Sequence, residues 1–101
     1  MNTNVIAENL RLGIIPNVVV EIDNHFVAGN QIAHISPPRK EKTDLNSVYV
    51  FEIELSNGGL LIINRQQPDS IIRQYQFVVF QWTNFTPTLS ASLVQKLFEV
   101  D

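Results

Sequence analysis

An alternating run and a second, continuously aliphatic one meet at Asn57-Gly58, and this junction constrains the fold more than any other feature of the chain. Ser47-Val48-Tyr49-Val50-Phe51-Glu52-Ile53-Glu54-Leu55 has the period of two that sends successive side chains to opposite faces of a strand. Gly59-Leu60-Leu61-Ile62-Ile63-Asn64-Arg65 returns. Asn57-Gly58 is the pair that a type I′ turn selects, because both central positions need a positive φ. A two-residue loop then sets Leu55 opposite Leu60, Ile53 opposite Ile62 and Phe51 opposite Asn64. The core face is expected to hold Tyr49, Phe51, Ile53, Leu55, Leu60 and Ile62, and the other face Val50, Glu52, Glu54, Leu61, Ile63 and Arg65. On that second face Arg65 falls diagonal to Glu52, within reach of a cross-strand ion pair. Leu61 and Ile63 there call for a covering helix.

The C-terminal stretch supplies one. Over 86–99, Thr86 suits an N-cap and Pro87 the first helical position, while Leu89, Leu93 and Leu97, with Val94 and Phe98, form one apolar stripe. The stretch before it gives two answers. Pro68-Asp69-Ser70 starts a helix, and Ile71, Ile72, Tyr75, Val78, Val79 and Trp82 share a helical face. Residues 75–82 are also aromatic and β-branched, with Phe77 and Phe80 off that stripe, which narrowly tips the reading to a strand after a turn at 68–73.

Upstream, Ile6, Leu10 and Ile14 are cut short by Gly13 and Pro16, so residues 1–15 read as a weakly ordered lead-in. Val18, Val20 and Ile22 alternate into a turn at Asp23-Asn24-His25, and Gly29-Asn30 reads as a hairpin loop into 31–36. Pro37-Pro38 ends that strand, and 37–46 is a polar loop. The expected architecture is α+β in a single domain, 1–101. An antiparallel sheet of roughly four to six strands curls into a roll or partial barrel and packs with a C-terminal helix.

Composition narrows the function classes. A net charge of −3 from 7 basic and 10 acidic residues argues against a general nucleic-acid binder. Arg39, Lys40 and Lys42 also have no aromatic stacking partner in their segment. The chain has no cysteine, which removes disulfides, thiolate nucleophiles and Cys-based metal sites. Its two histidines, His25 and His34, fit no metal-binding spacing, and no serine sits on a nucleophile elbow. No apolar run approaches the length of a membrane span, and Glu8 and Arg11 interrupt any leader-like run, so the expected setting is cytoplasmic.

One segment carries a local resemblance. Residues 57–68 resemble the strand–turn–strand of bacterial frataxins, with their N-G-x-x-I-I-N-R-Q-x-P run; Asn64, Arg65, Gln66 and Pro68 are the matching positions. In that family the segment belongs to the sheet surface that docks on the iron–sulfur assembly machinery. The match spans about a dozen residues, half of them generic to hairpins. The family's long acidic opening helix has no counterpart, since residues 1–24 hold only Glu8, Glu21 and Asp23, and Ile71-Ile72-Arg73 stands where the family has tryptophan. No iron site and no family membership is carried over.

The leading expectation is a small soluble protein-interaction or adaptor module with no cofactor and no catalytic residues. It self-associates, most simply as a homodimer, because its strands offer more apolar surface than one helix covers. Arg39, Lys40, Lys42, Arg65 and Trp82 are the expected contact residues. The alternative is a ligand-binding or enzymatic domain with Glu52, Glu54, Arg65 and His34 gathered between sheet and helix.

Overall fold

The Asn57-Gly58 reversal does form, with one residue more in the loop than its sequence suggests. The computed structural model describes residues 18–100; the lead-in read over 1–15 lies outside the described residues. Strand β5 (Ser47–Leu55) pairs antiparallel with β6 (Leu60–Arg65). The Gly58 N–H donates to the Leu55 carbonyl at 3.0 Å, and the Leu55 N–H to the Gly59 carbonyl at 2.8 Å. The loop is therefore Ser56-Asn57-Gly58, and only Gly58 has a positive φ, at 89°. This is a three-residue connection closed by a glycine bulge, in place of the expected type I′ turn.

The extra residue moves the register by one position. Phe51 faces Ile63, Ile53 faces Leu61 and Glu54 faces Leu60. A slip of one residue turns every side chain of a strand to the opposite face. Ile63 is buried and Leu61 half-buried on the core side, whereas Leu60 and Ile62, expected in the core, are 52% and 55% exposed. Arg65 lies on the core side with Leu61 and Ile63, opposite Tyr49, so the expected pair with Glu52 does not form.

The other edge of β5 is shared by two short strands in line. β3 (Ile32–Ile35) pairs with its C-terminal half and β4 (Arg39–Lys42) with its N-terminal half. The stretch 37–46, expected to be a polar loop, thus contains a strand. Pairing uses backbone groups only, and an edge position keeps Arg39, Glu41 and Lys42 in solvent. Between the two strands the Ser36 N–H donates to the Glu52 carbonyl at 2.9 Å, and the Ser36 hydroxyl accepts from the Glu52 N–H at 2.8 Å. The hydroxyl substitutes for a ladder carbonyl just before Pro37 and Pro38, which have no N–H to give.

Strand β1 (Val19–Ile22) and β2 (His25–Ala28) make a separate hairpin. Its turn, Asp23-Asn24, has both φ values positive (47° and 67°), so the type I′ geometry expected at Asn57-Gly58 occurs here instead. Gly29–Gln31 is a 3₁₀ turn leading from this hairpin to the main sheet, where a hairpin loop at Gly29-Asn30 was expected. A Cβ on Gly29 would lie 2.5 Å from Val18 Cγ1, so the close approach requires glycine.

Helix α1 (Pro68–Thr83) overrules the strand expected over 75–82. Pro68 opens it, Asp69 favours its N-terminus, and Ile71, Tyr75 and Val78 are buried along one stripe. Burying that stripe against the sheet outweighs β-propensity, and Phe77 and Phe80 are left on the solvent side. Asn84, in the left-handed conformation, ends the helix by donating its N–H to the Phe80 carbonyl. Helix α2 (Ala91–Phe98) begins later than the expected cap at Thr86: the Ser90 hydroxyl accepts from the Leu93 N–H at 3.2 Å. The Gln76 side chain, donating to the Pro87 carbonyl, holds the connection along α1.

Val20 and Ile22 from β1, Phe51 and Ile53 from β5, Ile71 and Val78 from α1 and Leu97 from α2 make one core. The rings of Phe51 and Tyr75 meet edge to face with centroids 5.5 Å apart, and burial pushes the Tyr75 hydroxyl above its ordinary pKa. The architecture is the expected α+β, divided into a two-stranded and a four-stranded antiparallel sheet packed with helices, one of them C-terminal. No helix among the described residues is long and apolar enough to cross a membrane.

Candidate interaction surfaces

The hydrogen-bond phase of β6 dictates what its free side offers. Antiparallel pairs alternate between those that exchange backbone hydrogen bonds and those that do not. The Leu55–Gly59 bond sets the phase: residues 61, 63 and 65 turn their N–H and C=O groups toward β5, and Leu60, Ile62 and Asn64 turn theirs outward. Among the described residues β6 pairs with β5 alone. Leu60, Ile62 and Asn64 are all exposed, and no charged side chain lies between positions 60 and 64. The Asn64 carbonyl accepts one bond, at 2.6 Å, from Arg65 Nη1.

The sheet face turned away from α1 combines Leu60 and Ile62 with a polar strip. Arg39 donates to Glu41 at 2.8 Å and to Glu52 at 2.9 Å, and these bonds, Glu52 first, raise its already high pKa. His34 faces Glu54 across the β3–β5 ladder on this same side. Arg65 lies on the opposite face, so the Glu52, Glu54, Arg65 and His34 cluster expected between sheet and helix is not assembled.

Arg65 instead forks onto Asp23 in the β1–β2 turn, Nη1 to Oδ2 at 3.1 Å and Nη2 to Oδ1. The guanidinium holds the Asp23 carboxyl below the usual carboxylate range, chiefly through these hydrogen bonds. Trp82 is half-buried and its Nε1–H donates to the Gly29 carbonyl at 3.0 Å. Beside it the Gln81 amide accepts from the Glu21 N–H at 2.9 Å and donates to the Glu21 carbonyl at 3.0 Å. These contacts tie the small hairpin to α1 and β6. A two-stranded hairpin is marginal alone, so Arg65 and Trp82 have structural partners here.

The remaining three expected contact residues come together. Arg39, Lys40 and Lys42 from β4 line a cleft of about 560 Å³ whose other wall is Leu93, Lys96 and Leu97 of α2. Three of the chain's seven basic residues, Lys40, Lys42 and Lys96, therefore meet at one cleft that Glu99 also lines, while the Arg39 side chain bonds to Glu41 and Glu52 on the other face. Lys40 Nζ donates to the Glu99 carbonyl at 2.6 Å, joining the end of α2 to the strand. Sequence reading missed Lys96, because only the tertiary fold brings α2 beside β4. It also missed the exposure of Leu60 and Ile62, although Ser56-Asn57-Gly58-Gly59 equally permits a three-residue loop.

Comparison with protein-family models, with curated proteins and with solved structures gives no match.

Proposed function

We propose that the chain is a small protein-interaction module, not an enzyme, and that it self-associates as a homodimer. The observation that carries this reading is the side of β6 left unpaired among the described residues, where Leu60 and Ile62 stand half-exposed beside outward backbone groups and no charge falls before Arg65. Solvent-facing strand edges attract further strands unless charge, proline or irregularity guards them. The reading places the protein in solution in the cytoplasm and gives it a protein partner rather than nucleic acid or membrane. Sedimentation velocity from micromolar to millimolar concentration tests it. The expected result is a sedimentation coefficient that rises with concentration toward a dimer; a monomer throughout refutes self-association.

A second reading is favoured by the cleft between β4 and α2. Its rim of Lys40, Lys42 and Lys96 and the half-buried Leu93 side chain suit a ligand that pairs a carboxylate or phosphate with an apolar group. Calorimetric titration with acidic peptides bearing a leucine, at low and high salt, tests that reading. Binding that weakens with salt supports it, and no heat at low salt removes it.

A further inference from the structure

We infer that two copies join β6 to β6 antiparallel about a twofold axis through Ile62, making one continuous sheet. This rests on the self-association proposed above and specifies its register.

The argument is one of hydrogen-bond symmetry. The outward-turned residues are Leu60, Ile62 and Asn64, a set centred on Ile62. Antiparallel pairing that sets Ile62 against itself sets Leu60 against Asn64 and Asn64 against Leu60. Every outward N–H and C=O of one copy then meets its complement in the other. Sliding either strand by two residues leaves one member of each set unpaired, and sliding by one brings inward-turned groups to the junction. The Asn64 carbonyl, which already accepts from Arg65, keeps a second lone pair for the partner strand.

Side chains agree with this register. On the face away from α1, Ile62 meets Ile62 of the second copy and Leu60 lies beside Asn64. On the core side, Leu61 lies opposite Ile63, extending the apolar layer across the junction. No like charges meet, because positions 60–64 carry none. A single six-residue strand buries less than the standard interface of about 1,600 Å², so the dimer is a reversible one governed by concentration.

The chain has no cysteine, so one introduced thiol reports on one position. Cα atoms of a hydrogen-bonded antiparallel pair lie about 5.5 Å apart, within the range that a disulfide spans. Under mild oxidation Ile62→Cys is expected to cross-link alone at least about tenfold faster than Leu45→Cys, whose side chain is 89% exposed and sets the collision rate. Leu60→Cys and Asn64→Cys are expected to cross-link fast only when mixed. Circular dichroism confirms that each variant is folded, and sedimentation of the unmodified chain runs in parallel. A dimer whose Ile62→Cys variant cross-links no faster than Leu45→Cys overturns this register and leaves self-association standing. A chain that stays monomeric overturns both.

Discussion

The four-stranded sheet has two edges built in opposite ways. The β3–β4 edge is broken by Pro37 and Pro38, patched by the Ser36 hydroxyl and edged with Arg39, Lys40 and Lys42. The β6 edge runs six residues without proline, bulge or charge until Arg65. Proline, irregularity and charge are the devices by which proteins stop unwanted strand addition. Here they are concentrated on one side. The contrast teaches that the bare edge is not a general carelessness of the sequence, because the same sheet shows how an edge is closed.

The comparison can be broken first at the strand that both edges share. Phe51→Ala in β5 is expected to cost about 3–5 kcal/mol by urea unfolding, with amide exchange rising together on both edges. Exchange that rises on one edge alone would show the two to be separate units. Ser36→Ala tests the guarded side. It leaves the Glu52 N–H without its acceptor, at a cost of about 1–3 kcal/mol in the same assay.

Arg65→Ala removes the tie between β6 and the small hairpin, and with both partners partly exposed the loss stays under about 1 kcal/mol. This pair also has a pH signature. Because the folded carboxyl of Asp23 is held below its ordinary value of 3.8, its contribution is present at neutral pH and is lost as acid takes the solution through the folded pKa. In Arg65→Ala that part of the acid sensitivity should vanish from a stability–pH profile. Smallest of all is the effect of Ile62→Lys on the monomer, within about 0.5 kcal/mol in dilute solution. The same substitution should abolish concentration-dependent sedimentation. A large loss of monomer stability would show that Ile62 belongs to the core after all.

Much of this was legible from residue order. The alternation over 47–55 and the apolar return after Asn57-Gly58 place β5 and β6, the turn read at 23–25 falls on Asp23-Asn24 with His25 opening β2, and the leucine spacing of 89–97 announces the last helix. The failures have physical causes. Ser56-Asn57-Gly58-Gly59 accommodates loops of two lengths, and only the three-dimensional packing of Phe51 and Ile63 selects one. Aromatic and β-branched residues over 75–82 argue for a strand until Ile71, Tyr75 and Val78 find a sheet to lie on. Charged residues at 39–42 resemble a loop because an edge strand needs no apolar side chains. The basic cleft joins residues far apart in the chain, and periodicity is blind to such meetings.

The spare residue at the 56–58 bend has an evolutionary corollary. Leu60, Leu61, Ile62 and Ile63 are aliphatic on both sides of the ribbon, so either side would serve as a lining for the interior. Closing the same chain through a two-residue Asn57-Gly58 loop, with Ser56 opposite Gly59, would rotate the ribbon half a turn, hide Leu60 and Ile62 and present Leu61 and Ile63 in their place. It would also carry Arg65 away from Asp23 and toward Glu52. A substitution there that favoured the shorter loop would therefore exchange one adhesive stripe for another while leaving the rest of the chain untouched.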